Sequence, residues 1–496
     1  MPARGRAFAA ALFSGVALTF AFPEPDLFFV AWFALVPLII IARRATPGRG
    51  AALAFVFGLG FFGTLLYWIS IVGWVAWALL VLLQAGLLAL FGVAIVLIAR
   101  LEHLALRVIL TAAAWTAVEL LRSIVPIFGF TWGQLAQSQH NAPWMLRPAA
   151  LGGAWAVASI VCAVNVLLAR AWVHRGSPSA AAIPTAVAAV LLFGPLLLPG
   201  VGRAEGAPAR VAIVQGNVPL EIPETGAARE EAILARHLEL TRDLAERDLD
   251  LIVWPESSIG IDLDRDPVAR ATVESATRVA GAAVIAGANL DVDADRYLVM
   301  AFHIDPEHGL VDRYQKTHLV PYGEYVPGRR FLNWVPMLAQ VPRDAIAGRH
   351  GKLFTPAAVP GPVAPVISFE GDFGSLVRAR IASGGRLLIV ATNTSTWRRS
   401  WASAQHVAMS QVRAAENGVW ALHAALSGIS ALIAPDGSVV DRTPLWTATT
   451  LEGDVYLPDG VSFYARTGDW WAWGSAVLAV AGAVVGWRRR PRRAAV

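Results

Sequence analysis

The chain has 496 residues, of which 56% are hydrophobic and only 16% are charged. A soluble domain usually carries about 25% charged residues, so the composition argues against a wholly soluble protein. The formal net charge of +5 does not indicate nucleic-acid binding, because the arginine clusters flank apolar runs, as at the cytoplasmic ends of membrane helices. The single cysteine, Cys162, lies inside an apolar run and excludes both an internal disulfide and a cysteine-based metal site.

Residues 1–202 are predicted to form a membrane domain with about seven spans, since each span needs about 20 apolar residues. The first two runs are short, and we expect them to pair as a hairpin. Residues 1–22 have an alternative interpretation as a cleaved signal peptide, but the apolar runs that follow at once favour a retained span. The predicted spans are 7–22, 27–42, 51–71, 73–99, 104–123, 147–173 and 182–201.

The positions of the basic residues predict the orientation of these spans. Arginines precede the first span and recur in three later loops, whereas the 125–146 loop contains neither arginine nor lysine. The seventh span then leads out of the cytoplasm, so residues 209–455 are expected on the non-cytoplasmic side. An eighth span at 470–487 returns the chain to an arginine-rich cytoplasmic tail.

Two ionisable residues, Glu119 and Arg122, lie three residues apart at the end of the fifth predicted span. Such a pair can neutralise itself on one helix face. Ionisable groups within spans are candidates for function, and a structural pair is an equally good interpretation. Both residues therefore stay outside the predicted catalytic set.

Residues 209–455 contain apolar, strand-like runs that alternate with helical patterns, which predicts an α/β layered domain. The runs are 209-ARVAIVQGN, 250-DLIVWPES, 282-AAVIAGANL, 386-RLLIVATN and 428-GISALIAPDG. The helical patterns cover 225–247, 267–281, 372–384 and 402–418. Two shorter strands, 437-GSVVDRT and 449-TTLEGDVYL, follow.

Three strand ends in this domain carry reactive side chains. Glu256 follows a buried strand in 251-LIVWPESS, Lys316 follows another in 311-VDRYQKTHLVPYGEYVP, and Ser368 and Glu370 close a third in 365-PVISFEGDF. Open α/β sheets place their sites at strand carboxyl ends. Brought together there, the carboxylate, amine and hydroxyl can act as base, charge stabiliser and nucleophile, although each alone is more often merely solvated.

At these residues the sequence resembles the apolipoprotein N-acyltransferases of bacteria, membrane members of the nitrilase (carbon–nitrogen hydrolase) superfamily. The most specific string is 316-KTHLVPYGEYVP. Further matches are WPES, 405-QHVAMSQVRAAENG, 433-IAPDG and 464-YARTGDW. The resemblance implies an α-helical membrane domain of about eight spans with a nitrilase-like αββα sandwich, in the bacterial cytoplasmic (inner) membrane.

The resemblance also implies a reaction and a set of residues. In the family, a Glu–Lys–Cys triad transfers an acyl chain from a phospholipid to the N-terminal amine of a diacylglyceryl-cysteine. The general base falls on Glu256, the lysine on Lys316 and a supporting glutamate on Glu324. The expected partners are a phospholipid donor, a diacylated lipoprotein acceptor and the membrane, with no nucleic acid, no metal, no other cofactor and a monomeric chain.

The sequence departs from the family where the nucleophile should stand. The family's Cys-Tyr-Glu string reads Ser368-Phe369-Glu370 here, and Cys162 cannot replace the cysteine, since it lies in a predicted membrane span. The Asn-Asp-Ala-Trp string reads 393-NTSTW, so Asn393 and Trp397 are assigned as supporting residues together with Phe369 and Glu370. The expected Tyr-Asn-Ser string reads 297-YLV. Because several strings differ together, natural divergence is favoured over a single engineered substitution.

Serine in place of cysteine leaves the activity open. A thiol is partly ionised near neutral pH, whereas a serine hydroxyl needs an aligned base. One alternative is a catalytically impaired relative that binds lipid or assists an active acyltransferase; another is a membrane-anchored amidase or nitrilase. The apolar segment 325-YVPGRRFLNWVPMLAQVP argues against the amidase, since it suits a lid that enters lipid. A transporter fits less well, because the spans lack charged midplane residues.

Overall fold

The computed structural model describes residues 3–125, 129–202, 206–219, 226–332 and 334–489, with the side chains of Ala3, Pro336 and Met337 left out. The chain divides into two compact units. One consists of Met1–Pro199 together with Thr467–Val496, and the other of Gly200–Arg466. Part of the arginine-rich tail, residues 490–496, lies outside the described residues.

The first unit is built from apolar helices, of which six in the described residues are long and apolar enough to cross a membrane. Its helices are α1 Ala3–Thr19, α2 Val36–Ala42, α3 Pro47–Leu65, α4 Trp74–Ile98, α5 Leu104–Ile124, α6 Pro143–Leu146, α7 Ala149–Val173, α8 Pro178–Phe193 and the C-terminal helix Trp470–Arg488. The apolar stretch of α8 continues through Leu197.

The first two predicted spans, 7–22 and 27–42, are not among the six long apolar helices. Helix α1 has 17 residues. Residues 27–42 do not form one helix but a 3-10 turn, Phe28–Trp32, followed by α2. Pro37 in the first turn of α2 has no N–H to continue a helix from the preceding residues. The count of about eight spans therefore included two segments that are shorter than the other six.

Glu119 and Arg122 are buried in the first unit and hold other parts of the chain. Glu119 Oε1 accepts hydrogen bonds from Trp115 Nε1 and from the backbone N–H of Leu135, both at 2.8 Å. Arg122 Nε donates to Gln84 Oε1 at 2.6 Å. Because Leu135 belongs to the loop that follows α5, these contacts favour the structural interpretation of the pair.

The second unit contains twelve strands in its described residues. The strands are β1 Ala209–Gln215, β2 Leu251–Val253, β3 Ala283–Asp291, β4 Arg296–Asp305, β5 Gly309–Gln315, β6 Asp344–Ala345, β7 Val363–Ile367, β8 Leu387–Thr392, β9 Trp420–Ala425, β10 Ala431–Ile433, β11 Val439–Arg442 and β12 Thr449–Val455. The helices are α9 Ala227–Asp243, α10 Pro267–Ala280, α11 Arg329–Leu332, α12 Gly374–Ala382, α13 Ala402–Asn417 and α14 Phe463–Thr467.

These strands form two sheets. The first has the order β12-β1-β2-β3-β4-β5, with β6 beside β4, and the second has the order β11-β10-β9-β8-β7. Side chains alternate across each strand. In β1, Val211 and Ile213 pack in the core between the sheets, and Ala212 and Val214 pack against the helical layer that contains α9 and α10.

The second sheet has the same arrangement. Ile389 of β8 faces the first sheet, while Leu388 and Val390 pack with Val377 of α12 and Val407 of α13. The layers therefore run helix, sheet, sheet, helix, which confirms the predicted αββα sandwich. Strands β1, β2 and β3 are parallel in one sheet, and β7, β8 and β9 are parallel in the other.

Candidate active site

A fully buried ammonium group lies where β5 ends. Lys316 Nζ donates to Glu256 Oε1 at 3.1 Å and to Glu324 Oε1 at 2.5 Å. A buried charge is costly unless it is paired and hydrogen-bonded. The two carboxylates supply both conditions, so the three side chains form one charged cluster within the sandwich.

Each carboxylate is held at its second oxygen by a backbone N–H. Glu324 Oε2 accepts from Val320 at 2.8 Å, which closes the turn after Lys316. Glu256 Oε2 accepts from Asn393 at 3.0 Å. Because Asn393 follows β8 and Glu256 follows β2, this bond joins the two sheets at the site.

The charges of the cluster shift the pKa values of its members. Burial raises the pKa of the Glu256 carboxyl, and attraction by Lys316 offsets that rise only in part. Burial acts to lower the pKa of Lys316, but Glu256 and Glu324 outweigh it, so the pKa of the ammonium lies above its ordinary value. Lys316 therefore stays positive at neutral pH and stabilises charge, while Glu256 is the group suited to accept a proton.

Ser368 occupies the turn between β7 and a short 3-10 helix, Ser368–Asp372. Its φ of +50° is in the left-handed region, which is strained for a residue other than glycine. The side chain is half-buried, and its Oγ accepts a hydrogen bond from Thr392 Oγ1 at 3.2 Å. Asn393, which follows Thr392 in the chain, donates to Glu256. The end of β8 therefore contacts both Ser368 and the charged cluster.

The buried Glu370 side chain fastens the Ser368 turn to the loop after Lys316. Its Oε1 accepts from the Tyr314 hydroxyl at 2.6 Å, from the backbone N–H groups of Thr317 (2.7 Å) and His318 (3.1 Å), and from Thr317 Oγ1 at 2.7 Å. Its Oε2 accepts from the backbone N–H of Ile367 at 2.9 Å. Glu370 therefore positions the ends of β5 and β7 relative to each other.

The remaining predicted residues lie around this centre. The Phe369 ring stacks on His318, with centroids 5.6 Å apart, and meets Phe373 edge-on at 4.9 Å. Asn393 Oδ1 accepts from the backbone N–H and the hydroxyl of Ser395, which shapes the turn after β8. Trp397 lies half-buried at the end of the 3-10 helix that follows.

Sequence analysis missed Thr392, His406 and Asp372. Thr392 Oγ1 lies 3.3 Å from His406 Nδ1, and His406 Nε2 lies 3.1 Å from Asp372 Oδ1. The one signal for Thr392 was its place at a strand end before Asn393. No local pattern indicated that His406, one of ten scattered histidines, meets this strand end.

Chemically, the site combines a proton acceptor, a fixed positive charge and a hydroxyl on a strained turn. That set suits the formation and breakdown of an acyl-ester. Within the described parts of the chain, no group of three or more His, Cys, Asp or Glu side chains is placed to hold a metal ion.

We expect Glu370→Gln to destabilise the second unit for two reasons. The NH₂ group of the amide would face an N–H or O–H donor that it cannot accept from, and the remaining donors would lose their hydrogen bonds to a charged carboxylate. The expected loss is about 2 kcal/mol, within the range for hydrogen bonds to charged groups. Thermal unfolding of the purified chain in detergent measures it. Tyr314→Phe, which removes one donor of five contacts, is the matched control and should cost less than half as much; an equal or larger effect of the control would contradict this account.

Two family models cover most of the chain. Residues 14–167 match the apolipoprotein N-acyltransferase N-terminal domain, and residues 210–463 match the carbon–nitrogen hydrolase domain. The apolipoprotein N-acyltransferase of Geobacter metallireducens is 31% identical over 98% of this chain and 96% of the relative. That of Chromobacterium violaceum is 31% identical over 97% and 94%.

Among solved structures, an amidase from Nesterenkonia sp. is 18% identical and covers 54% of this chain and 95% of its own, with a TM-score of 0.39. The family models and the curated relatives account for both units, and the identity of the relatives extends over nearly the whole chain. The chain belongs to the apolipoprotein N-acyltransferase family.

Proposed function

We propose that this protein transfers a fatty acyl chain from a phospholipid to the N-terminal amine of a lipoprotein's diacylglyceryl-cysteine. The observation that carries the proposal is the buried Lys316, paired with Glu256 and Glu324. Glu256 is bonded to Asn393, and the preceding residue, Thr392, donates to Ser368. The relatives named as apolipoprotein N-acyltransferases support the choice of substrates.

In the first half-reaction, Glu256 takes the proton of the Ser368 hydroxyl as Oγ attacks the ester carbonyl of the phospholipid. Lys316 and the backbone N–H of Phe369 stabilise the negative charge on the carbonyl oxygen. The ester C–O bond then breaks. The lysophospholipid leaves with the proton from Glu256, and an acyl-ester remains on Ser368.

In the second half-reaction, the α-amine of the lipoprotein attacks the acyl-ester. Glu256 accepts a proton from the amine and returns it to the Ser368 oxygen as that bond breaks. The products are an N-acylated lipoprotein and the free serine. Because the lysophospholipid leaves before the amine attacks the acyl-ester, the reaction is ping-pong, and Glu256 serves each half as base and then acid.

The segment 325–342 supports a lipid substrate. It contains α11 and the 3-10 helix Pro336–Gln340. Phe331 and Trp334 are 67% and 78% exposed. Leu332 and Val335, which belong to the same predicted lid, are half-buried. The Met337 side chain is outside the described residues. Exposed aromatic rings beside arginines suit binding to a membrane surface.

We expect the purified protein to convert a diacylated lipopeptide into its triacylated form in the presence of phospholipid. Mass spectrometry detects the product, and an acyl adduct on Ser368 should appear when the lipopeptide is withheld. Ser368→Ala should abolish both signals. If only Ser368→Cys, and never the natural chain, gives product, the protein is not an active enzyme with serine.

As the pH is lowered, activity should be lost with a midpoint that lies above the ordinary glutamate pKa of about 4.3. Glu256 must be ionised to accept a proton, and burial raises its pKa, so activity is present above that raised pKa and lost as the pH falls through it. The charge of Glu324 contributes to the rise. The pH profile of kcat/KM should therefore move to lower pH in Glu324→Gln, and a shift to higher pH would contradict the assignment.

We further propose that residues 1–202 form the membrane domain, that residues 209–455 lie outside the cytoplasm, and that residues 470–487 form the last span of this inner-membrane protein. The positions of the arginines support this topology. The six long apolar helices support the membrane domain.

Labelling of introduced cysteines tests the topology. In a Cys162→Ala background, which removes the buried natural thiol, we expect Val268→Cys to react with a membrane-impermeant maleimide in intact spheroplasts. Val268 is on α10 and exposed, and Gly48 at the start of α3 is the exposed control. Gly48→Cys should react only after lysis. The reverse pattern would place residues 209–455 in the cytoplasm.

A further inference from the structure

Three buried polar side chains extend from the Ser368 oxygen into the second unit. Thr392 Oγ1 donates to Ser368 Oγ at 3.2 Å and lies 3.3 Å from His406 Nδ1. His406 Nε2 lies 3.1 Å from Asp372 Oδ1. The His406 and Asp372 side chains are only 3% and 1% exposed, so this row is built into the core and is not a solvated surface.

The donor roles along the row follow from proton counting. Thr392 has one hydroxyl proton, and the geometry directs it to Ser368. Its contact with His406 is then one in which Nδ1–H donates. The other ring nitrogen, Nε2, lies 3.1 Å from Asp372 Oδ1, so the His406 ring is held between Thr392 and Asp372.

A second histidine packs against the His406 ring. His423 of β9 meets the His406 ring edge-on, with centroids 4.9 Å apart, and its Nδ1 lies 2.8 Å from Ser410 Oγ. Burial, and secondly the nearby His406, hold the pKa of His423 well below its ordinary value. His423 therefore packs against His406 as a neutral ring.

From this geometry we propose that Thr392 is a catalytic hydrogen-bond donor to the Ser368 oxygen, and that His406 and Asp372 are positioning residues that fix its hydroxyl proton toward that oxygen. The inference rests on the proposed role of Ser368 as nucleophile. It assigns to Thr392 the task of stabilising negative charge on Oγ as the O–H bond breaks.

The same donor serves both half-reactions. During acylation, the Oγ–H proton passes to Glu256, the Oγ–acyl bond forms, and Thr392 stabilises the partial negative charge on Oγ. During transfer, the amine displaces Oγ, and Thr392 again stabilises the partial negative charge on Oγ while the proton returns from Glu256. A serine oxygen needs this help more than a thiolate does, because the thiol has the much lower pKa.

The test measures acylation of residue 368 by p-nitrophenyl octanoate, an activated ester that requires neither phospholipid nor lipopeptide. The purified full-length chain in detergent should give a burst of p-nitrophenolate and an octanoyl adduct by intact mass, with Ser368→Ala as the blank. We expect Thr392→Val to slow the burst about 10- to 100-fold, the range of one hydrogen bond to a charged group. Thr392→Ser, which restores the hydroxyl, should stay within about threefold of the natural chain by the same reasoning.

Repeating these variants in a Ser368→Cys background separates a chemical role from a structural one. There Thr392→Val should have little effect, since the thiolate does not depend on the donor; the double-mutant cycle isolates that difference. Asp372→Asn should follow the same pattern with a smaller loss. Thr394→Val is the matched control, because it removes a buried hydroxyl at the same strand end that contacts Ser403 and not Ser368.

Equal losses from Thr392→Val in the serine and cysteine backgrounds would overturn the inference in favour of a packing role. No loss in the serine background would overturn it as well. A natural chain whose Ser368 is never acylated would overturn both this inference and the proposed function. A chain that is acylated with the expected Thr392 dependence, but never transfers to lipopeptide, would leave the inference standing and overturn the function alone.

Discussion

The burial of one ammonium group, that of Lys316, organises this site. An ammonium inside a sandwich core is stable only with opposite charges in hydrogen-bonding distance, and Glu256 and Glu324 meet that condition. Their remaining oxygens then bind backbone N–H groups, one of them at Asn393 on the second sheet. The need to neutralise one charge thus fixes the loop after β5, the loop after β2 and the end of β8.

The second connection between the sheets runs through Glu370, whose carboxylate binds donors from β5, from the loop after Lys316 and from Ile367. Lys316, Glu256 and Ser368 therefore lie on segments that are hydrogen-bonded to one another at two independent points. Such ties matter because a displacement of about 1 Å between reacting groups can cost about a hundredfold in rate. The strained backbone at Ser368 is tolerated where these contacts hold it.

The parts of the site that the sequence predicted are those encoded locally. Glu256, Lys316 and Ser368 each follow a short apolar strand, and Glu324 lies in the specific string after Lys316, so pattern and resemblance were sufficient. The alternation of strands and helices also predicted the sandwich. Hydropathy, however, measures apolar length and not helix continuity, so it predicted one span at 27–42, where a separate helix begins at Val36 with Pro37 in its first turn.

What the sequence could not predict depends on the register between distant strands. Thr392 reaches the Ser368 oxygen because β7 and β8 pair with Ile367 beside Ala391, and no local signal encodes that pairing. His406 comes from a helix that packs behind the sheet, so its contact with this strand end follows from tertiary structure alone.

Serine at position 368 is more than the loss of a thiol, because of what surrounds it. A buried contact between a histidine and a carboxylate, such as His406 with Asp372, gives little net stability, since the cost of removing the polar groups from water offsets most of their attraction. The same volume filled with apolar side chains would stabilise the fold at least as well. His406 contacts the Thr392 hydroxyl that donates to Ser368 and lies beside Asp372, which gives the pair a role that packing does not provide. The pair, the hydroxyl and the serine are best explained together, as a site adapted to an oxygen nucleophile.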